Sequence, residues 1–293
     1  MKDVETIIKA CIDIAKSIDA PIICLSNLTV ETDEVPVIIA ASNMLNVDGL
    51  LSPAGPISDR EQLLRISSRM ASEGETAEEQ VSDAGVVSYI RGVLAGGRVV
   101  GLVELPDAIS IVVHDLEENP VIKEIMDCGD RVDMRLLVSV LNVAFDIASF
   151  GREGVSIGCA FIIGDVEEVM HRSHQLVLNP YYGHKREECD VLDPSTWEAI
   201  KEFAQLDGVI VIDDGGIVIA AGRYLDVDAS EISIKQGLGA RHAAVAAITR
   251  DTQAVGVAVS QTGGTIRIFK DGIAVVEIAP TTKITGVHGI DAR

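Results

Sequence analysis

Apolar positions in the N-terminal part of the chain follow first a helical period and then a strand pattern. Apolar side chains between residues 4 and 15 share one face of a 3.6-residue repeat, which predicts an N-terminal helix. A capping-box pattern at Ser58 and Glu61 predicts a further helix that runs to about Met70, and another helix is predicted over residues 76–94, ending at two glycines. Short apolar runs predict strands at residues 21–25, 36–40, 98–104 and 109–114. Strands that alternate with helices predict a mostly parallel α/β sandwich at residues 1–126.

The second part of the chain combines helical segments with closely spaced strands. A polar turn at residues 127–130 predicts the boundary between two domains. Helical spacing over residues 136–147 and an apolar run at 155–163 predict the first helix and the first strand of the second domain. Two apolar runs, 209–212 and 217–221, flank the turn Asp-Asp-Gly-Gly and predict a β-hairpin. Further apolar runs predict strands at residues 254–260, 265–269 and 273–278, with a Gly-Gly turn after the first of them.

Glycines precede the helix that is predicted at residues 243–249. Gly237 and Gly239 stand just before it, and Arg241 and His242 lie between the glycines and the helix. The first turn of a helix presents free N–H groups and the positive end of the helix dipole, and both attract anions. The segment therefore predicts a phosphate-binding loop, although Gly-x-Gly alone is equally typical of helix capping or packing.

Composition narrows the class of protein and its partners. The 293 residues are 47% hydrophobic, which is enough for two domains with substantial cores. Aromatic residues make up 3% of the chain, so base stacking on an aromatic platform is disfavoured. A formal charge of −21 repels a phosphate backbone, and the sequence shows no basic patch. No nucleic-acid partner is expected.

The cysteines and the hydropathy pattern bear on location. The five cysteines are scattered and mostly lie in apolar runs, which predicts buried thiols in a reducing compartment. The sequence contains no Cys-x-x-Cys pair of the kind that binds zinc. The first residues do not resemble a secretory signal, and no apolar run has the length of a membrane span. We therefore expect a cytoplasmic protein without a membrane partner.

The order of three motifs resembles the diadenylate cyclase domain over roughly residues 131–272. Asp207 and Gly208 begin a strand, Arg241 and His242 follow after some thirty residues, and Ser260 precedes a glycine turn. The family carries Asp-Gly-Ala and Arg-His-Arg, and this chain has Asp-Gly-Val at 207–209 and Arg-His-Ala at 241–243.

Three departures from the bacterial pattern resemble the archaeal branch of the family. Ala243 removes a cation, Ala240 stands where a Thr is frequent, and Gln261-Thr262 replaces two Glu. The presence of an extra N-terminal domain also resembles that branch. The pattern of the N-terminal domain itself is similar to the C-terminal domain of pyruvate kinase.

The resemblance implies a fold, a reaction and an assembly. It implies that residues 127–293 form an α/β domain with a mixed central sheet flanked by helices. The implied reaction condenses two ATP into cyclic di-AMP and releases two pyrophosphates, with Mn²⁺ or Mg²⁺ as cofactor. Since each chain carries one set of motifs, the implied assembly is a homo-oligomer with face-to-face dimers, or a larger ring such as a hexamer.

The resemblance also implies roles for individual residues. The implied catalytic residues are Asp207, Gly208, Arg241 and His242. The implied nucleotide-binding residues are Leu225, Gly239, Ala240, Arg241, His242, Ser260, Gly264 and Thr265, with Leu225 packed on adenine. The implied metal ligands are Asp207 and His242. Two alternatives stay open: a catalytically inactive sensor of ATP or cyclic di-AMP with the same fold, and a structural α/β assembly protein.

Overall fold

The chain folds into two compact units. A computed structural model describes residues 2–42 except 27 and 29, 76–152 except 106 and 107, 155–230, 232, 239–279 and 282–288. One unit consists of Met1–Ile122 with Thr281–Arg293, and the other of Lys123–Pro280. Each unit is an α/β structure built on its own sheet, so the predicted fold class is confirmed.

The described strands of the first unit are β1 (Ile22–Leu25), β2 (Val37–Ser42), β3 (Arg98–Glu104), β4 (Ile109–Asp115) and β12 (Thr282–His288). They form a five-stranded sheet in the order β12-β2-β1-β3-β4. The described helices of this unit are α1 (Lys2–Ser17) and α2 (Ala77–Ile90), and α3 (Pro120–Asp127) leads into the second unit. The strands and helices predicted at residues 4–15, 21–25, 36–40, 76–94, 98–104 and 109–114 are present. The helix predicted after Ser58 lies outside the described residues.

Helix α2 begins at a complete capping box and packs closely on the sheet. The side chain of Thr76 accepts a hydrogen bond from the backbone N of Glu79 (3.2 Å), and the Thr76 N donates to Glu79 Oε2 (2.7 Å). On the sheet below, a Cβ at Gly101 of β3 would overlap Val81 of α2. The absence of a side chain at Gly101 therefore sets how close α2 lies to the sheet.

The sheet of the first unit is more mixed than the predicted, mostly parallel one. Strand β1 pairs in parallel with β2 and with β3, whereas β4 and β12 are antiparallel to their neighbours. The four residues between β3 and β4 are too few for a crossover and allow only a hairpin. Parallel pairing is therefore limited to the centre of the described sheet.

The described strands of the second unit are β5 (Cys159–Ile163), β6 (Ser173–Gln175), β7 (Val209–Ile212), β8 (Val218–Leu225), β9 (Val255–Val259), β10 (Ile266–Lys270) and β11 (Ile273–Ile278). They form a seven-stranded mixed sheet in the order β11-β10-β9-β5-β7-β8-β6. The described helices of this unit are α4 (Met134–Phe150), α5 (Val166–His171), α6 (Trp197–Phe203) and α7 (Ala240–Asp251). Strands β5 and β7 pair in parallel, and the other described pairs are antiparallel.

The predicted hairpins are confirmed. Asp213 closes the turn between β7 and β8, because its Oδ1 accepts hydrogen bonds from the backbone N of Gly215 (3.0 Å) and of Ile217 (2.8 Å). Strands β9 and β10 form the second hairpin, and β11 continues it. The predicted helix at residues 243–249 is the centre of α7, which begins three residues earlier.

The structure tests the predictions about the thiols and about membrane-spanning helices. All five cysteines are free and buried, as predicted, and burial raises the pKa of the Cys159 thiol to about 12. No helix in the part of the chain that the structure describes is long and apolar enough to cross a bilayer.

The division into units differs from the predicted domains, 1–126 and 127–293. The chain divides between residues 122 and 123, and strand β12 belongs to the first unit through its antiparallel pairing with β2. The sequence of β12 carries no information about the sheet that the strand joins. Sequence order alone groups the C-terminal segment with the second domain, whereas β12 pairs with a strand of the first unit.

We expect a fragment of residues 123–280 to fold alone with one cooperative thermal transition, because this range contains the whole second sheet. A fragment of residues 123–293 should gain no stability and should aggregate more readily, because β12 would then lack its partner β2. Calorimetry and light scattering of the two fragments make the comparison. A transition several degrees higher for the longer fragment would contradict the assignment of β12.

Candidate functional site

Asp207 lies immediately before Gly208 at the beginning of β7. Gly208 has a positive φ of 100°, and a Cβ there would overlap the carbonyl oxygen of Arg223 on β8. Glycine is therefore required for β7 and β8 to approach each other at this point. The backbone N of Gly208 donates to Asp207 Oδ1 (2.9 Å), and 88% of the Asp207 side chain remains exposed. The structure thus holds a carboxylate open to solvent at the strand start.

Arg241 joins three segments of the second unit. It lies in the first turn of α7, after the N-cap residue Gly239. Its Nη1 donates to the carbonyl oxygen of Gly158 (2.7 Å), just before β5, and its Nη2 donates to Asp207 Oδ1 (3.3 Å). A Cβ at Gly158 would come within 3.1 Å of the same Nη1. The guanidinium therefore ties the start of α7 to the starts of β5 and β7.

His242 is buried beneath Arg241. Its Nε2 lies 3.2 Å from Ser260 Oγ, and its ring packs edge-on against Phe269 at 6.2 Å between centroids. Burial lowers the pKa of His242, and the cations of Arg267 and Arg241 lower it further. The site thus favours the neutral imidazole.

Ser260 continues this chain of contacts to an ion pair within the sheet. Arg267 of β10 donates from Nη1 to Ser260 Oγ (2.9 Å), and it donates from Nε and Nη2 to the two carboxylate oxygens of Glu277 on β11 (3.2 and 2.9 Å). The sequence reasoning missed both residues. The sequence does contain a signal for this ion pair: Arg267 and Glu277 carry opposite charges in two apolar runs that are joined by a tight turn.

The other predicted residues fall into two groups. Gly239 and Ala240 are exposed at the start of α7, and the turn with Gly264 closes where the backbone N of Ser260 donates to the carbonyl oxygen of Thr265 (2.9 Å). Leu225 is 5% exposed and belongs to the hydrophobic core cluster. Its contact with adenine therefore stays a prediction that this buried position does not favour.

The predicted metal ligands do not form a complete metal site. Within the described ranges, no group of three or more His, Cys, Asp or Glu side chains is placed to hold a metal ion. Asp207 offers an open carboxylate, whereas His242 Nε2 already lies against Ser260. A single carboxylate suits Mg²⁺, which takes its remaining ligands from water and substrate phosphates. The donor set therefore fits an ion that arrives with a phosphorylated substrate.

Two family profiles match separate parts of the chain. Residues 146–274 match "DAC: DisA bacterial checkpoint controller nucleotide-binding", and residues 6–117 match "Probable sensor domain DacZ_A". The first match covers Asp207, Arg241, His242 and Ser260. The predicted similarity of the N-terminal domain to the C-terminal domain of pyruvate kinase is not shown, since this region matches the probable sensor domain instead.

Two curated relatives carry the description "Diadenylate cyclase". The one from Methanocaldococcus jannaschii is 38% identical over 179 residues, which are 61% of this chain and 57% of that protein. The match therefore spans little more than half the length of that relative. The one from Haloferax volcanii is 33% identical over 252 residues, 85% of this chain and 87% of that protein. The crystal structure of DacA from Staphylococcus aureus is 26% identical over 47% of this chain and 83% of that chain, with a TM-score of 0.32.

We expect Gly208→Ala to destabilise the second unit by at least about 2 kcal/mol, because it combines a positive φ with an overlap at the carbonyl oxygen of Arg223. The matched control is Gly239→Ala, whose Cβ would meet no atom within 4 Å and which should cost less than about 1 kcal/mol. Urea unfolding of both variants measures the difference. Equal stabilities would show that β7 can move away from β8 without cost.

Proposed function

The chain belongs to the diadenylate cyclase family, and we propose that it joins two ATP molecules into cyclic di-AMP and releases two pyrophosphates. The observation that carries the proposal is the continuous set of contacts from Asp207 through Arg241 and His242 to Ser260. These residues combine an open carboxylate, a guanidinium, an imidazole and a hydroxyl at the first turn of a helix. That combination suits an anionic substrate that carries a reacting hydroxyl group.

In each half of the proposed reaction, the 3′-hydroxyl oxygen of one ATP attacks the α-phosphorus of the other. The new P–O bond forms as the bond from the α-phosphorus to the oxygen that bridges the β-phosphate breaks. Pyrophosphate leaves with that oxygen, and the hydroxyl proton passes to solvent. Phosphoryl-group chemistry of this kind depends on positioning and on neutralisation of charge more than on covalent catalysis. The protein's task is therefore to align two triphosphates and to offset their charge.

The site residues divide this task. Asp207 organises the attacking hydroxyl, either directly or through a bound cation, since its carboxylate is open to solvent. Arg241 donates to phosphate oxygens, and Ser260 and the neutral imidazole of His242 orient groups beside them. Mg²⁺ or Mn²⁺, held by Asp207 together with the phosphates, would supply further neutralisation of charge. The inactive sensor is less well supported, because Asp207 and Arg241 are both retained and in contact.

The reaction requires two copies of the chain. Cyclic di-AMP has two equivalent halves, whereas each chain has one set of site residues, so two chains face each other across a two-fold axis. Exposed apolar side chains on the segment that follows β6 support this arrangement. A Cβ on Gly222 would lie 2.8 Å from the Val177 side chain and 3.7 Å from the carbonyl oxygen of Asp207, and the neighbouring Leu178 is 96% exposed. An apolar surface at this place suits a contact with a second copy.

Asp207→Asn should abolish the formation of cyclic di-AMP from ATP and Mn²⁺ while the Kd for ATP changes by less than about tenfold, because the lost charge serves the transition state more than ground-state binding. Chromatography of the products and calorimetry with ATP measure the two quantities. Asp271→Asn is the matched control, since it also breaks an exposed ion pair, with Arg131 (2.7 Å), outside the site. Near-normal turnover of Asp207→Asn would show that Asp207 has no catalytic role and is only a turn residue.

Specific activity should rise with protein concentration until the active dimer saturates, because a single chain holds one ATP. Leu178→Ser should shift this curve to higher concentration, whereas Ile273→Ser, an exposed apolar position on β11, should leave it unchanged. Light scattering at each concentration gives the assembly state. A strictly monomeric protein with constant specific activity would contradict the requirement for two chains.

A further inference from the structure

We infer that Arg267 is a positioning residue of the proposed reaction: it acts through Ser260 and sets the direction of the Ser260 hydroxyl and of the His242 imidazole. The inference rests on the proposed function. It is carried by one continuous hydrogen-bonded chain, in which Glu277 holds Arg267, Arg267 holds Ser260, and Ser260 contacts His242.

The geometry of Arg267 is fixed at several points. Its side chain is 10% exposed, it lies within β10, and Glu277 on the adjacent β11 accepts two of its N–H groups. A guanidinium that is held by a carboxylate at two nitrogens has a defined plane, so the direction of its remaining N–H groups is also defined. One of these groups, on Nη1, points to Ser260 Oγ at 2.9 Å. Arg267 therefore presents a donor in a set direction.

The hydrogen bond from Arg267 orients the hydroxyl group of Ser260. A hydroxyl has one proton and two acceptor lone pairs, and an arginine can only donate. The bond from Arg267 thus occupies a lone pair of Ser260 and leaves its proton for another acceptor. His242 Nε2, at 3.2 Å, and a bound phosphate oxygen are the partners on offer. Without Arg267 the hydroxyl could rotate away from both.

The position of Arg267 is explained better by the direction of its hydrogen bond to Ser260 than by its positive charge. The cation is paired with Glu277 and is largely shielded from solvent, so it does not replace the cation that the Arg-His-Arg motif of the family has where this chain has Ala243. The backbone of Ser260 is already held by Thr265 through the hydrogen bond at 2.9 Å. What Arg267 adds is control over the side chain of Ser260.

A double-mutant cycle on the full-length protein tests the inference. Arg267→Met and Ser260→Ala should each lower kcat for cyclic di-AMP formation by about 10- to 100-fold, with the KM for ATP changed by less than about threefold, because misdirection of a positioned group acts mainly on the transition state. The double variant should be within about threefold of the slower single variant, since both changes remove the same contact. Arg267→Lys, which keeps a donor, should recover part of the loss.

Controls separate this role from a general loss of structure. Arg152→Met breaks the ion pairs with Glu198 and Glu202 elsewhere in the second unit, should leave kcat within about twofold, and should combine additively with Ser260→Ala. Nitrogen NMR of histidine-labelled protein, with His242 assigned by comparison with His242→Asn, gives a readout without turnover. The His242 ring signals should shift in Arg267→Met and in Ser260→Ala and stay unchanged in Arg152→Met.

The outcomes distinguish the two proposals. Additive losses in Arg267→Met and Ser260→Ala, or unchanged His242 ring signals in Arg267→Met, would overturn the role of Arg267 while the wild-type protein still made cyclic di-AMP. A wild-type protein that made no cyclic di-AMP would instead overturn the proposed function.

Discussion

The candidate site depends on how closely α7 packs on the second sheet. Gly256 of β9 lies under this helix, and a Cβ there would overlap the side chain of Val245. The helix can sit at this distance only because Gly256 has no side chain. Arg241 and His242 belong to the first turn of the same helix, so a helix pushed outward would lose the contacts of Arg241 with Gly158 and of His242 with Ser260. Packing in the core thus sets the geometry of the chemistry.

The parts of the structure that could be predicted from the sequence are those that short-range chemistry determines. The hairpin between β7 and β8 follows from Asp213, whose side chain closes the turn that the Asp-Asp-Gly-Gly sequence indicates. The start of α7 follows from the glycines before an alanine-rich segment. The resemblance to a family assigns Asp207 and Arg241 to one site, and the structure has an ion pair at 3.3 Å between them. Local pattern does not bring together residues that are 34 positions apart.

Long-range pairing accounts for what the sequence could not reveal. Strand β12 follows β11 after three residues, yet it pairs with β2 in the other sheet, and its local pattern is equally suitable for either. The burial of Leu225 likewise depends on long-range packing, because its neighbours in the hydrophobic core include residues of α7, which follows β8 along the chain. The pairing of Arg267 with Glu277 depends on the register of β10 and β11. A bulge between Ile268 and Phe269 shifts that register, so the length of the turn alone does not predict which residues lie opposite each other.

The charges around the site explain why the proposed reaction needs a divalent cation. The chain as a whole is strongly acidic, but exposed charges beyond about 8 Å are largely screened at physiological salt, so the nearest groups decide whether a triphosphate can bind. Near Ser260, the cations of Arg241 and Arg267 face the carboxylates of Asp207 and Glu277, and the two pairs nearly cancel. The protein alone therefore offers direction, through fixed N–H and O–H groups, but little net positive charge. Two facing triphosphates bring much more negative charge than this site can offset, and a divalent cation for which Asp207 would be a ligand would supply the difference.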